Sequence, residues 1–290
     1  MNDERQPFDS VAVIGSGTMG SGIAQVVAEA NIPVIMIDLD PIAIERGTRR
    51  IERNWDRSLD KGTSSRLAID QARANLSVSE SLEDTRGSAL IIEAAIEQLE
   101  TKQSIFRQLS QIARTDAVLA SNTSSISITQ LGAVAIDATR VVGMHFFNPV
   151  PRMLLVEVVR GERTSEETVE RVRTFAEVLG KTPISVNDMP GFVSNRILMP
   201  MINEAVFCLS EGVATREAID QIMVLGMAHP IGPLSLADLI GLDVCLQILE
   251  TLQRDLGEDK YRPAPLMRKL VASGKLGRKS GEGFFRYEPS

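Results

Sequence analysis

The sequence predicts an α/β chain, with a mostly parallel sheet flanked by helices and then a smaller all-α C-terminal domain. Three observations carry that expectation. Short apolar, β-branched runs alternate with helical patterns up to about residue 186, the rhythm of β-α-β units that build a parallel sheet. A glycine-rich turn, Gly15-Ser16-Gly17-Thr18-Met19-Gly20, joins the first such run directly to the first helical pattern. Beyond Asn187-Asp188-Met189-Pro190-Gly191 the strands cease, and the chain reads as helix to about residue 273. The natural split is therefore a sheet-bearing domain at residues 1–186 and a helical domain at 187–290.

Taken in order, Ser10-Val11-Ala12-Val13-Ile14 reads as a buried parallel strand, and Ile23, Val26, Val27 and Ala30 mark the inner face of the helix after the glycines. Pro33-Val34-Ile35-Met36-Ile37 is the second strand and ends in Asp38. Some fifty residues then pass before the next strand, with helical patterns at 41–60 and 64–75 broken by Lys61-Gly62-Thr63. That is too long for one crossover helix and predicts a helical hairpin projecting from the sheet. Further strands are expected at 88–93, 117–121, 140–144, 153–159 and 183–186, with helices near 99–114 and 165–179.

The strand, glycine turn and helix order is the context that gives a GxGxxG match its meaning. Gly15 permits the tight turn, Gly17 lets backbone approach a pyrophosphate, and Gly20 lets helix and strand pack closely, with Thr18 and Met19 between them at the helix N-terminus. Asp38 stands about 20 residues beyond the glycines, where a carboxylate accepts the ribose hydroxyls of an adenosine. The same charge repels a 2′-phosphate, so the expected cofactor is NAD and not NADP. These features predict a Rossmann-like first domain.

A second constellation lies in His145-Phe146-Phe147-Asn148-Pro149 and the run Met153-Leu154-Leu155-Val156-Glu157-Val158-Val159. An ionised Glu inside such a strand costs several kcal/mol unless it is paired, roughly the effective penalty for a buried ion. His145 is the nearby partner, and strands joined by a short Pro-containing connection usually lie side by side. A His–Glu dyad is expected, with Glu157 orienting an imidazole that moves a proton near neutral pH.

Composition excludes several classes. A net charge of −7 argues against nucleic acid as a general partner. No run approaches the ~18 apolar residues of a membrane span, and the acidic start with Asp3, Glu4 and Asp9 matches neither a signal nor a transit peptide, so a cytoplasmic protein is expected. Cys208 and Cys245 sit in apolar helical patterns without metal-ligand spacing, which predicts buried free thiols and no metal site. Trp55 is expected in the core or at an interface and not as a cofactor-stacking group. Arg46, Arg49, Arg50, Arg53 and Arg57 recur at helical spacing on the first hairpin helix. Two readings of that stripe stay open: a landing site for phosphates, to which arginine forks are suited, or a solvated face paired with Glu45, Glu52 and Asp56.

Nearly the whole length resembles the L-3-hydroxyacyl-CoA dehydrogenase family, short-chain bacterial 3-hydroxybutyryl-CoA dehydrogenase type. The resemblance rests on the glycine turn, Glu93-Ala94-Ala95-Ile96-Glu97, Ser121-Asn122-Thr123-Ser124-Ser125, His145 to Pro151, Val156-Glu157-Val158, Pro190-Gly191-Phe192-Val193-Ser194-Asn195-Arg196, Gly232-Pro233 with Asp238, and Gly277 to Phe285. It implies NAD-dependent oxidation of the 3-hydroxyl of an acyl-CoA in fatty acid metabolism, reversibly. His145 would be the general base and Glu157 its polarising partner. Ser124 and Asn195 would hydrogen-bond the substrate oxygen, Ser124 also bordering the cofactor, and chemistry would sit where the two domains meet. Glu97, Lys102 and Asn148 fall on positions that contact the nicotinamide half of NAD, and Arg46, Arg49 and Arg50 would meet CoA phosphates. A homodimer is implied. Leu154 stands where many relatives carry lysine, and Ala228-His229-Pro230-Ile231 departs from the commonest form, which puts the preferred acyl group in doubt. The alternatives are a dehydrogenase of a free polyol acid or carnitine, and a non-catalytic NAD-binding structural protein on the same fold.

Overall fold

The computed structural model describes residues 6–288, which fall into two compact units that part between Asp188 and Met189. The first carries the sheet. Its elements run β1 (Val11–Ile14), α1 (Thr18–Glu29), β2 (Val34–Ile37), α2 (Pro41–Asp60), α3 (Arg66–Asn75), β3 (Leu76–Ser79), β4 (Leu90–Glu93), α4 (Leu99–Ile112), β5 (Val118–Ser121), α5 (Ile128–Gly132), β6 (Val141–Phe146), β7 (Leu155–Arg160), α6 (Glu166–Val178) and β8 (Thr182–Asn187). Strand order is β3-β2-β1-β4-β5-β6-β7-β8, and every neighbouring pair is parallel except β6 and β7. The first six strands thus have the doubly wound order in which ligands bind beyond the carboxyl ends of the strands.

The central strands are buried on both faces, which is why they read as unbroken apolar runs instead of alternating ones. Two short elements escape that signal. β3 is a half-exposed Leu-Ser-Val-Ser edge strand, and α5 is a five-residue helix capped by the Ser127 side chain. β6 runs to Phe146, past the expected end at residue 144, because pairing with β7 continues through His145 and Phe146.

The hairpin forms as expected, with its ends set by capping. Asp40 accepts from the Ile42 N–H, Pro41 opens α2, and Ser65 caps α3. Its inner face lies against α1: Trp55 is buried and donates to Glu29 Oε1 at 2.8 Å, and Asn54 donates to Gln25 Oε1 at 2.8 Å. Trp55 is therefore a core residue. Residues 60–68 at the tip are exposed.

The second unit is helical: α7 (Ser194–Ser210), α8 (Arg216–Met227), α9 (Pro233–Ile240), α10 (Leu242–Leu256) and α11 (Pro265–Ala272) around a core that includes Met199, Ile202, Leu234, Leu249 and Met267. Two aspartates organise it. Asp220 accepts from the N–H groups of Leu234 and Ser235 at the start of α9, and Asp238 holds the tail through the N–H groups of Phe284 and Phe285 and the Tyr287 hydroxyl, each at 2.9 Å. These bonds give a structural role to Gly232-Pro233, Asp238 and the Phe284-Phe285 stretch. Cys245 is buried and burial pushes its thiol up to about 12, whereas Cys208 is half-buried, a departure from the expectation that both would be enclosed. Among the described residues no helix is long and apolar enough to cross a membrane.

Candidate active site

The glycine turn closes the carboxyl end of β1. Gly15 has φ +97°, and a Cβ there would come within 2.5 Å of the Ala94 carbonyl oxygen, while one on Gly20 would lie 1.8 Å from the Gly15 oxygen. A Cβ on Gly17 would meet no heavy atom within 4 Å. Two glycines therefore serve packing, and the third leaves open space above the N-terminus of α1, the arrangement a pyrophosphate needs. Asp38, at the end of β2, is turned to this loop: its Oδ2 accepts from both the N–H and the hydroxyl of Ser16 at 2.8 Å. A carboxylate oxygen can accept more than one hydrogen bond, so Asp38 is oriented beside the turn with capacity left for ribose hydroxyls. The residues present fit an NAD adenosine and pyrophosphate.

His145 and Glu157 face one another across the antiparallel β6–β7 register. His145 Nδ1 lies 2.8 Å from Glu157 Oε2, with 6% and 3% of the two residues exposed. An ionised carboxylate only accepts, so Nδ1 carries the proton of the neutral ring and Nε2 is its acceptor nitrogen. The Phe147 ring packs on the imidazole with centroids 4.6 Å apart. His145 was expected at a strand end; it is the fifth residue of a six-residue strand, paired through the backbone with β7, while the ladder to β5 ends at Gly143. Asn148 follows in the exposed connection.

Between these two centres, the carboxyl ends of β4 and β5 carry a buried polar network. Glu93, the last residue of β4, accepts from Lys102 Nζ at 2.7 Å, the Ala95 N–H at 2.6 Å and the Ser121 hydroxyl at 2.6 Å. Lys102 also lies 3.4 Å from Glu97 Oε2. Glu97 Oε1 gathers the Thr123 hydroxyl at 2.6 Å, the Ser124 N–H at 2.8 Å, and the Ser125 N–H and hydroxyl at 3.1 and 3.2 Å. Burial pushes the Glu97 carboxyl up, but Lys102 and the bonds from Thr123 and Ser124 outweigh it and hold the group below the usual carboxylate range. Asn122 Oδ1 accepts from the Phe146 N–H at 2.9 Å, tying this loop to the residue after His145. Thus Glu97, Lys102 and Ser124 belong to one cluster. Sequence reading quoted Glu93, Ser121 and Asn122 as motif residues but gave them no role, although Glu93 ends an apolar run in the way that drew attention to Glu157.

Asn195 belongs to the second unit, where it is the second residue of α7 and buried. It is not the helix cap, since the cap position falls to Val193 and the Asn195 N–H already bonds the Gly191 oxygen. The arginine stripe divides. Arg46 lies 3.6 Å from Asp40 and Arg49 pairs with Glu45, both on exposed surface, whereas Arg50 is half-buried and donates to the Ser21 hydroxyl at 2.9 Å. Burial, then the neighbouring Arg53 and Arg46 charges, lower the Arg50 pKa.

Residues 10–189 match the family model of the 3-hydroxyacyl-CoA dehydrogenase NAD-binding domain, and residues 191–287 that of the 3-hydroxyacyl-CoA dehydrogenase C-terminal domain. A probable 3-hydroxybutyryl-CoA dehydrogenase of Bacillus subtilis is 51% identical over 96% of this chain and 97% of its own. A 3-hydroxybutyryl-CoA dehydrogenase of Bradyrhizobium diazoefficiens is 45% identical over 96% of this chain and 94% of its own. Among solved structures, the (S)-3-hydroxybutyryl-CoA dehydrogenase of Ralstonia eutropha superposes with a TM-score of 0.93 at 46% identity, covering 97% of this chain and all of that one.

Proposed function

The chain belongs to the 3-hydroxyacyl-CoA dehydrogenase family, and from that premise we propose that His145 is the general base that takes the proton of the substrate's 3-hydroxyl group. The protein is an NAD-dependent oxidoreductase that converts an L-3-hydroxyacyl-CoA, of the 3-hydroxybutyryl-CoA type, to the 3-oxoacyl-CoA, reversibly. NAD, when bound along Gly15, Gly17, Thr18, Met19, Gly20 and Asp38, supplies the hydride acceptor.

The observation that carries the reading is the 2.8 Å contact between His145 Nδ1 and Glu157 Oε2 in a dry strand pair. Because Glu157 accepts the Nδ1 proton, Nε2 receives the hydroxyl proton, and the carboxylate stabilises the imidazolium that forms. Ser124 and Asn195 are the donors to the reacting oxygen. Support for Ser124 comes from Glu97, which fixes its backbone. Support for Asn195 comes from its burial in the first turn of α7. Glu97, Lys102 and Asn148 border the nicotinamide half. For the CoA phosphates, Arg46 and Arg49 are the exposed cations, with Arg50 anchored beside them.

The homodimer reading is supported by Val213, Ile222, Leu225 and Met227, apolar side chains of the helical unit that are 58–83% exposed in the single chain. The absence of any membrane-length apolar helix among the described residues agrees with a cytoplasmic enzyme. Turnover of NAD against a panel of 3-hydroxyacyl-CoA thioesters and the matching free acids tests the substrate class. Short-chain thioesters should be oxidised and free acids should not; activity confined to the free acids would overturn it.

A further inference from the structure

Among the described residues of the first unit, Glu93–Lys102 is the most deeply buried ion pair, with side chains 0% and 1% exposed. A well-packed apolar pair of similar volume would hold a fold about as well, because desolvation offsets most of the attraction between two buried charges. What the pair adds is charge. With Glu97 held ionised by Lys102, Thr123 and Ser124, the cluster of Glu93, Lys102 and Glu97 sums to −1. Lys102 Nζ sits closer to Glu93, at 2.7 Å, than to Glu97, at 3.4 Å, so Glu93 draws the ammonium inward and leaves the Glu97 charge only partly compensated.

The sheet order says what this charge faces. Asp38 ends β2 and the glycine turn ends β1, so a dinucleotide with its adenosine at Asp38 and its pyrophosphate on Gly15 to Gly20 lays its other half over β4 and β5, toward His145 on β6. That half is the nicotinamide, cationic when oxidised and neutral when reduced. We propose that Glu93, Lys102 and Glu97 form a charge-setting triad whose net −1 favours binding of NAD over NADH, with Glu93 as the positioning residue that keeps Lys102 from neutralising Glu97. The inference rests on the reading above that Glu97 borders the nicotinamide half, and it adds Glu93 to that site.

Binding of NAD and of NADH to the full chain, titrated separately, gives a ratio in which contacts common to the two forms cancel. Glu93→Gln takes the triad to zero charge and should weaken NAD relative to NADH about ten-fold, a difference of ~1.4 kcal/mol. Glu93→Gln combined with Lys102→Met leaves Glu97 alone, restores −1 and should return the ratio toward wild type. Equal weakening of both forms, or a ratio that fails to return in the double variant, overturns the proposal. Glu97→Gln separates the two layers: if it shifts the ratio and Glu93→Gln does not, Glu97 keeps its place and the triad falls. If neither shifts it, the placement of Glu97 falls as well. Should Glu93→Gln fail to fold, Glu97→Gln, which keeps the Glu93–Lys102 pair and also takes the triad to zero charge, should weaken NAD relative to NADH about ten-fold, and an unchanged ratio overturns the inference.

Discussion

Replacing Glu157 with Gln keeps the shape of the dyad and removes its charge. In the ground state the imidazole is neutral and Gln still offers an amide oxygen to the Nδ1–H, so binding of substrate and cofactor should change little. The loss falls on the state in which His145 has taken the hydroxyl proton. There a ring cation and a carboxylate about 4 Å apart, charge to charge, attract by ~4 kcal/mol at an effective dielectric of about 20. A neutral hydrogen bond to Gln returns ~1 kcal/mol of that. The remainder, ~2–3 kcal/mol, corresponds to a fall of roughly 30- to 200-fold in kcat. With the two residues 6% and 3% exposed, solvent screens little of this. The assay is steady-state oxidation of 3-hydroxybutyryl-CoA followed by absorbance of the reduced cofactor, with NAD titration and thermal unfolding as controls. A folded Glu157→Gln enzyme whose kcat stays within about two-fold of wild type, under ~0.5 kcal/mol, would falsify the polarising role. So would a loss confined to KM, because that would make Glu157 a binding group.

His145→Ala should cost more, about 10²- to 10⁴-fold in kcat, the usual contribution of a positioned acid or base, and wild-type turnover in a folded variant rules the base assignment out. Steady-state constants for the two cofactors should favour NAD strongly over NADP, since Asp38 is anchored at 2.8 Å to Ser16 where a 2′-phosphate would come; equal efficiency with NADP refutes that placement of the adenosine. Ser124→Ala and Asn195→Ala should each lower kcat about 10²- to 10³-fold while NAD affinity holds, as for loss of one oxyanion donor. Loss of NAD affinity with kcat intact would make them cofactor or structural residues instead. Charge reversal at Arg46 or Arg49 should raise KM for a CoA thioester and spare a pantetheine thioester that lacks the phosphates, and added salt should mimic it because exposed charges are screened within about 8 Å at physiological ionic strength. An equal response of both thioesters makes the stripe a solvated face.

The sequence alone determined the central strands and the glycine turn of the first unit, because strands buried on both faces must be apolar throughout and a dinucleotide turn must have glycine where no Cβ fits, whereas the half-exposed β3 and the short α5 left no such signal. Gly15, Gly20 and Asp38 were legible for that reason, as was Glu157, whose charge has no place in an apolar strand without a partner. What only tertiary structure decided is which distant groups share a charge. The His145–Glu157 partnership was expected from the sequence, and the β6–β7 register supplies only its 2.8 Å geometry. Glu93 reaches Ser121 across 28 positions because β4 and β5 lie in register, Glu93 beside Ser121. Arg50 reaches Ser21 across 29 positions because α2 packs on α1, a partner that helical spacing alone does not record. Local pattern reports whether a residue is buried, since burial is enforced by the solvent. The partner it meets there is chosen by the pairing of segments far apart in the chain, and no periodicity records that.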